Sequence, residues 1–62
     1  MTQHDHRFEY AGAYRSVEHA ADDLASMFAQ GAVSVGERPR VESRQVSREG
    51  KRVTRWFVTL AT

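Results

Sequence analysis

The sequence predicts an α+β domain in which a three-stranded antiparallel sheet carries one helix on one face, in the order strand, helix, strand, strand. Three observations indicate this fold. A regular apolar stripe follows Ser16, residues 48–51 have the composition of a hairpin turn, and residues 53–60 are rich in β-branched and aromatic side chains. With 62 residues in total, the chain suffices for one domain near the lower size limit for independent folding. We expect that domain to span residues 7–62.

The first strand is predicted at residues 7–11, where charged residues alternate with Phe8 and Tyr10 and place both rings on one face. Gly12 is expected to end this strand, and residues 13–15 are expected to form a connection. Residues 1–6 are polar and are expected to form a disordered tail.

The helix is predicted from an N-cap residue and from the spacing of the apolar residues after it. Ser16 suits the N-cap position because its hydroxyl can accept a hydrogen bond from a free backbone N–H. The apolar residues that follow recur at intervals of three and four and form one stripe facing the sheet. Gly31 is expected to close the helix in the left-handed conformation. The stripe consists of Val17, Ala20, Ala21, Leu24, Met27 and Phe28.

The second strand is predicted at residues 40–47, after a turn at residues 36–39; residues 32–35 fit either a short strand or an extended loop. Val41 and Val46 have opposite parity, so either a bulge separates them or each valine faces a different side of the sheet. Gly50 is expected to supply the positive φ of the hairpin turn.

The third strand is apolar on both faces. Trp56, Val58 and Leu60 are expected to face the helix, with Trp56 in the core, while Phe57 points to the opposite face together with Val53 and Arg55. One helix can cover only one face, and the chain has no cysteine to form disulfides or a cysteine-ligated zinc site. We therefore expect a homo-oligomer, with a compact monomer as the alternative.

Charge is unevenly distributed along the chain. The net charge is +1, yet residues 1–31 carry five acidic and two basic residues whereas residues 32–62 carry seven basic and three acidic ones. Such asymmetry can indicate an anionic partner, although a solvated hairpin or an acidic helix paired with a basic strand between subunits would also account for it. The absence of cysteine, of a signal peptide and of any run of membrane-spanning length predicts a cytoplasmic protein.

Catalytic and metal-binding motifs are absent from the sequence. It contains no nucleophile elbow, phosphate loop or dinucleotide fingerprint, so we expect a non-enzymatic protein. The two tail histidines could bind Cu(II) or Ni(II), but a tail offers no preformed site. His19 shares a helix face with Asp22 and Asp23, and we interpret this group as solvated surface. No metal site is predicted.

Three segments resemble the dodecins, small strand–helix–strand–strand proteins that assemble as hollow dodecamers and commonly bind flavins. These segments are residues 8–12 (FEYAG), 16–20 (SVEHA) and 50–60 (GKRVTRWFVTL), so the resemblance covers about residues 8–60. The resemblance implies an oligomer and a flavin as possible cofactor. Arg38 stands where flavin-binding dodecins have the stacking tryptophan, and Phe57 stands where they have the glutamine that bonds the ring.

Three function hypotheses follow. The first is a non-catalytic, dodecin-like oligomer that binds or stores a small anionic or aromatic ligand through Arg38, Arg44, Arg55 and Phe57. The second is a small protein-interaction module, such as a phage-type inhibitor, that contacts an acidic protein surface through its basic hairpin. The third is a nucleic-acid-binding protein, against which the glutamates among the arginines and the near-zero net charge argue.

Overall fold

A computed structural model describes residues 7–61, and these residues form the predicted α+β fold. The predicted tail and its histidines lie outside the described residues. The sheet order is β1-β3-β2, with both neighbouring pairs antiparallel, so the longest strand is central. The elements are β1 (Arg7–Tyr14), α1 (Val17–Ala29), a short 3₁₀ helix (Val35–Glu37), β2 (Arg40–Arg48) and β3 (Lys51–Ala61).

Both predicted caps of α1 are confirmed. The Ser16 Oγ accepts a hydrogen bond from the His19 N–H at 3.1 Å. At the other end Gly31 has φ +76°, and the Ala32 N–H donates to the Met27 carbonyl at 2.9 Å. This six-residue closure is the Schellman motif, in which glycine accepts the left-handed conformation without steric cost.

The core lies between α1 and the central strand. Val58 and Leu60 of β3 are buried together with Val33, which confirms the predicted helix-facing side of β3. Trp56 has the same orientation but is only partly buried and lies outside this cluster, so its placement in the core was wrong. Its partner in β1 is Tyr14, the last residue of that strand, and beyond this point the sheet narrows to two strands. The residues packed around the cluster are Ala11, Tyr14, Leu24, Met27 and Val41.

The first strand is longer than predicted because it contains two irregularities. The register shifts between Glu9 and Ala11 and again between Ala11 and Tyr14, so β1 continues past Gly12 instead of ending there. In the first shift Tyr10 is the extra residue. Ala11 consequently takes the helix-facing position, and Tyr10 is 45% exposed rather than sharing a face with Phe8.

The segment before β2 is a loop rather than a strand. Val33 is 3% exposed and belongs to the core, whereas Val35 begins the 3₁₀ helix and is 78% exposed. The Ser34 N–H donates to the Glu37 Oε1 at 2.9 Å. This local capping interaction satisfies backbone groups that a strand would need to pair with a neighbour.

The β2–β3 hairpin confirms the predicted turn. Its two-residue loop consists of Glu49 and Gly50, with φ values of 52° and 78°, the pattern of a type I′ turn that matches the twist of the strands. The register between β2 and β3 runs without a bulge over all nine residues of β2. Each valine therefore faces a different side: Val41 faces the core, whereas Val46 faces away from it.

Candidate functional site

The sheet face opposite α1, called the open face from here on, has no helix of the described chain packed on it. Side chains alternate along a strand, so the neighbours of Val58 and Leu60 point to this face together with their register partners. The open face consists of Arg7, Glu9, Arg40, Glu42, Arg44, Val46, Arg48, Lys51, Val53, Arg55, Phe57, Thr59 and Ala61.

A depression of about 270 Å³ lies where the irregular part of β1 meets Phe57 on the open face. Gly12 makes it possible, because the Phe57 ring rests directly on the glycine backbone. A Cβ at position 12 would lie 2.8 Å from the Phe57 Cε2 and would displace the ring. The lining residues are Glu9, Tyr10, Ala11, Gly12, Ala13 and Phe57.

Tyr10 is the most accessible ring of this depression. The register shift after Glu9 turns it out of the strand's regular alternation, and 45% of its surface is exposed. An exposed tyrosine offers a planar apolar surface and a phenolic hydroxyl to a ligand. Bulges commonly reorient a side chain beside a functional site in this way.

Arg44 of β2 contacts one lining residue of the depression on each of the other two strands. Its guanidinium carbon lies 5.5 Å from the centroid of the Phe57 ring, within cation–π range. The same guanidinium forms an ion pair with Glu9 of β1. Phe57 is therefore bordered by the Gly12 backbone and by Arg44, so it forms a wall of the depression while Tyr10 supplies the free ring surface.

The four predicted contact residues are only partly brought together. Arg44 contacts Phe57, and Arg55 is the register partner of Arg44 on the open face. Arg38 lies before β2, where it caps the 3₁₀ helix with φ 48°, four positions ahead of the register partner of Phe57. Its carbonyl accepts a hydrogen bond from the Arg7 Nη2 at 2.7 Å.

Arg7 closes one end of the open face. Its side chain is only 12% exposed and lies 3.7 Å from the Glu42 carboxylate. It donates to the Thr59 Oγ1 from Nε at 3.3 Å and to the Thr59 carbonyl from Nη2 at 3.1 Å. Thr59 is consequently 2% exposed, although it belongs to the open face. The parts of the open face that Arg7 leaves accessible are the depression and the hairpin end.

The hairpin end of the open face carries positive charge without compensation. Arg48 faces Lys51 across the two strands, and Arg44 faces Arg55, with a valine pair between them. Among residues 7–61, Arg48, Lys51 and Arg55 form no ion pair. Like charges directly opposite each other destabilise a sheet, so this arrangement costs stability unless an anion is bound.

Tyr14 links β1 to the helix on the other side of the sheet. Its hydroxyl donates to the Asp23 Oδ2 at 2.6 Å, and its ring centroid lies 5.3 Å from that of His19. Burial and then the Asp23 hydrogen bond raise the pKa of Tyr14 to about 12. The phenol therefore stays protonated near neutral pH and holds the helix to β1.

Neither a metal-binding cluster nor a membrane-spanning helix is present within residues 7–61. Residues 7–61 contain no group of three or more histidine, aspartate or glutamate side chains that could hold a metal ion. Within that range α1 is too short and too polar to cross a bilayer, and no other helix qualifies.

Comparison with protein families, with curated proteins and with solved structures finds no match to this chain. The function of the candidate site is therefore inferred from its geometry. Sequence reasoning missed Tyr10 and Gly12 as parts of it, because Tyr10 was placed by simple alternation and Gly12 was expected to end the strand. The one available signal was a glycine directly after an alternating run, a position where bulges and close backbone contacts occur.

Proposed function

We propose that this protein is a non-catalytic binding protein that holds a small, planar, anionic ligand such as a flavin on its open face. The proposal depends mainly on the depression between Tyr10 and Phe57, two of whose lining residues, Phe57 and Glu9, are contacted by the Arg44 guanidinium. The lining combines two aromatic rings with small residues and the Glu9 carboxylate, and small-molecule sites generally combine apolar surface with a few placed polar groups.

The aromatic part of the ligand is matched by Tyr10 and by the floor of the depression. The exposed Tyr10 ring can stack on a planar group, and the floor residues Ala11, Gly12 and Ala13 have no side chain large enough to fill the space. The Phe57 edge adds a second apolar contact.

The anionic part of the ligand is matched by two guanidinium groups. Glu9 occupies part of Arg44, but a guanidinium has five N–H donors and one carboxylate uses at most two in a bidentate pair. Arg55 lies opposite Arg44, and its Nη1 donates to the Thr54 carbonyl at 2.9 Å. The pair therefore retains donors and net positive charge for a phosphate or carboxylate.

Assembly into a homo-oligomer is part of the proposal. A depression of about 270 Å³ is at the small end for a complete ligand site, and a second subunit would enlarge it. Apolar surface is also left uncovered on the other side, since Phe8 is 46% and Val17 and Phe28 are each 39% exposed. Light scattering tests this part: a mass well above 7.1 kDa supports assembly, and a monomer at all concentrations contradicts it.

The experiment for ligand binding compares FMN with riboflavin, which share one ring system and differ by a phosphate. Flavin fluorescence is titrated with the full chain. We expect FMN to bind more tightly than riboflavin, and the difference to shrink at high salt as charge is screened. Binding of neither flavin would contradict a flavin-like ligand, and equal binding of both would contradict the role of the arginines.

Two variants of one strand provide a matched control. Tyr10 and Phe8 are 45% and 46% exposed, but only Tyr10 lines the depression. Tyr10→Ala should weaken binding of both flavins by about 1–2 kcal/mol, as expected for loss of an aromatic contact of this kind. Phe8→Ala should leave it unchanged. The same loss in both variants, with the mass from light scattering unchanged, would place the ligand elsewhere.

A further inference from the structure

The two edges of the sheet differ in their ability to accept another strand. The β1 edge is interrupted by two register shifts, which is one way in which proteins protect an edge from pairing. β2 forms the other edge and runs without a bulge over nine residues, about 30 Å at the usual rise per residue. Within residues 7–61 no strand pairs with its outer side.

The side chains along this outer edge have a definite charge pattern. On the open face β2 presents Arg44, Val46 and Arg48 in alternate positions. Arg44 is already paired with Glu9 of β1, whereas Arg48 has no carboxylate partner within the described range. On the other face the corresponding residues are uncharged, namely Ser43, Gln45 and Ser47. The Cα atoms of Arg44 and Arg48 are about 13 Å apart, the length of four residues in an extended strand.

We propose that the outer edge of β2 binds an extended acidic segment of a partner protein as a fourth strand. Backbone hydrogen bonds would supply affinity, and cross-strand side-chain pairs would supply specificity. The segment carries acidic side chains opposite Arg44 and Arg48, an apolar side chain opposite Val46, and uncharged polar residues between them. The pattern is acid, polar, apolar, polar, acid.

Charge complementarity favours an acidic segment at this edge over a second copy of β2 or a nucleic acid. A second copy of β2 centred on Val46 would place arginine against arginine, which like-charge repulsion disfavours. A pairing centred on Ser43 would place Arg44 opposite Glu42, but it would also place Val46 opposite the charged Arg40 and leave Arg48 without an acidic residue opposite it. The phosphates of a nucleic acid would be repelled by Glu42, and a nucleic acid could not form a strand ladder with the β2 backbone.

The test uses two synthetic peptides of identical composition, with acetylated and amidated ends. TETVTET reads the same in both directions, so it satisfies the pattern in a parallel or an antiparallel orientation. ETTVTTE places its acids on the opposite side of the strand from its valine. The ¹⁵N-labelled full chain is titrated with each peptide, and amide shifts are followed by NMR.

The proposal predicts that TETVTET shifts the amides of β2 and binds at least about fivefold more tightly than ETTVTTE, the factor that one good exposed ion pair can supply. Equal affinities would overturn it. A concentration-dependent shift of the β2 amides without peptide would assign the edge to a second copy. Oligonucleotide binding in the absence of peptide binding would assign it to nucleic acid.

Arg48→Glu and Arg52→Glu provide the matched variants, since each changes the charge by the same amount. Arg48 lies on the open face, whereas Arg52 is opposite Ser47 on the other face. Arg48→Glu should abolish the preference for TETVTET, and Arg52→Glu should keep it. Equal losses would indicate unspecific charge attraction and overturn the proposal. The peptide comparison on the unmodified chain stands even if a variant fails to fold.

This inference shares Arg44 with the proposed ligand site, and Arg48 is the residue that separates the two. Arg48 does not line the depression, and salt screens its charge from a ligand bound there. Arg48→Glu should therefore change the affinity for FMN by no more than about twofold. Failure of the peptide test and failure of the flavin test are therefore distinguishable.

Discussion

Gly12→Ala should destabilise the protein through contact with Phe57. A Cβ at this position would lie 2.8 Å from the Phe57 Cε2 and 3.1 Å from its Cγ, so the ring has to move. Overpacking of this kind costs about 1–3 kcal/mol. With a urea m-value of about 1 kcal/mol/M for a small domain, the unfolding midpoint should fall by about 1–3 M.

Gly36→Ala is the matched control for this prediction. The nearest atom to a Cβ there is the Ser34 Oγ at 3.8 Å, an ordinary contact. Its urea midpoint should stay unchanged or rise slightly, because alanine lowers the entropy of the unfolded chain by about 0.4–1 kcal/mol. In a Phe57→Ala background the cost of Gly12→Ala should fall, and what is left should be the backbone cost of placing alanine at φ +158°. Equal midpoints for the two glycine variants, or an unchanged cost in that background, would refute the reasoning.

Three further predictions concern stability. Arg7→Met should lower the free energy of unfolding by about 1–3 kcal/mol in urea denaturation, because it leaves buried Thr59 without its donor. Lys51→Glu should raise it by about 0.2–1 kcal/mol in the same assay, since it replaces a like-charged pair with Arg48 by an opposite one. Tyr14 has a folded-state pKa raised to about 12, so the folded state retains a proton that the unfolded state loses above about pH 10. Stability should therefore fall between about pH 10 and pH 12, and Tyr14→Phe should show a smaller fall; equal slopes would contradict this.

The sequence predicts the helix and the hairpin well because local chemistry determines both. Ser16 and Gly31 cap α1 as expected, and Gly50 turns the hairpin. The opposite parity of Val41 and Val46 left two alternatives open. The register between the strands selects between them, and a single sequence does not contain that information.

The candidate site was less predictable because it depends on irregular pairing. Simple alternation places Tyr10 beside Phe8, but a register shift moves it to the depression. The arginines of β2 were visible as a basic hairpin. Arg40 pairs with Glu42 and Arg44 with Glu9, whereas Arg48 has no carboxylate partner in the described range, and the pair between Arg44 and Glu9 depends on contacts between strands.

The most direct test of the account is an NMR map of FMN binding on the ¹⁵N-labelled chain. We expect the largest amide shifts on residues 9–13 and on Phe57, which surround the depression, and only small shifts on residues of α1. Shifts concentrated on α1, or no shifts at any FMN concentration, would contradict the claim that the open face binds a planar anionic ligand.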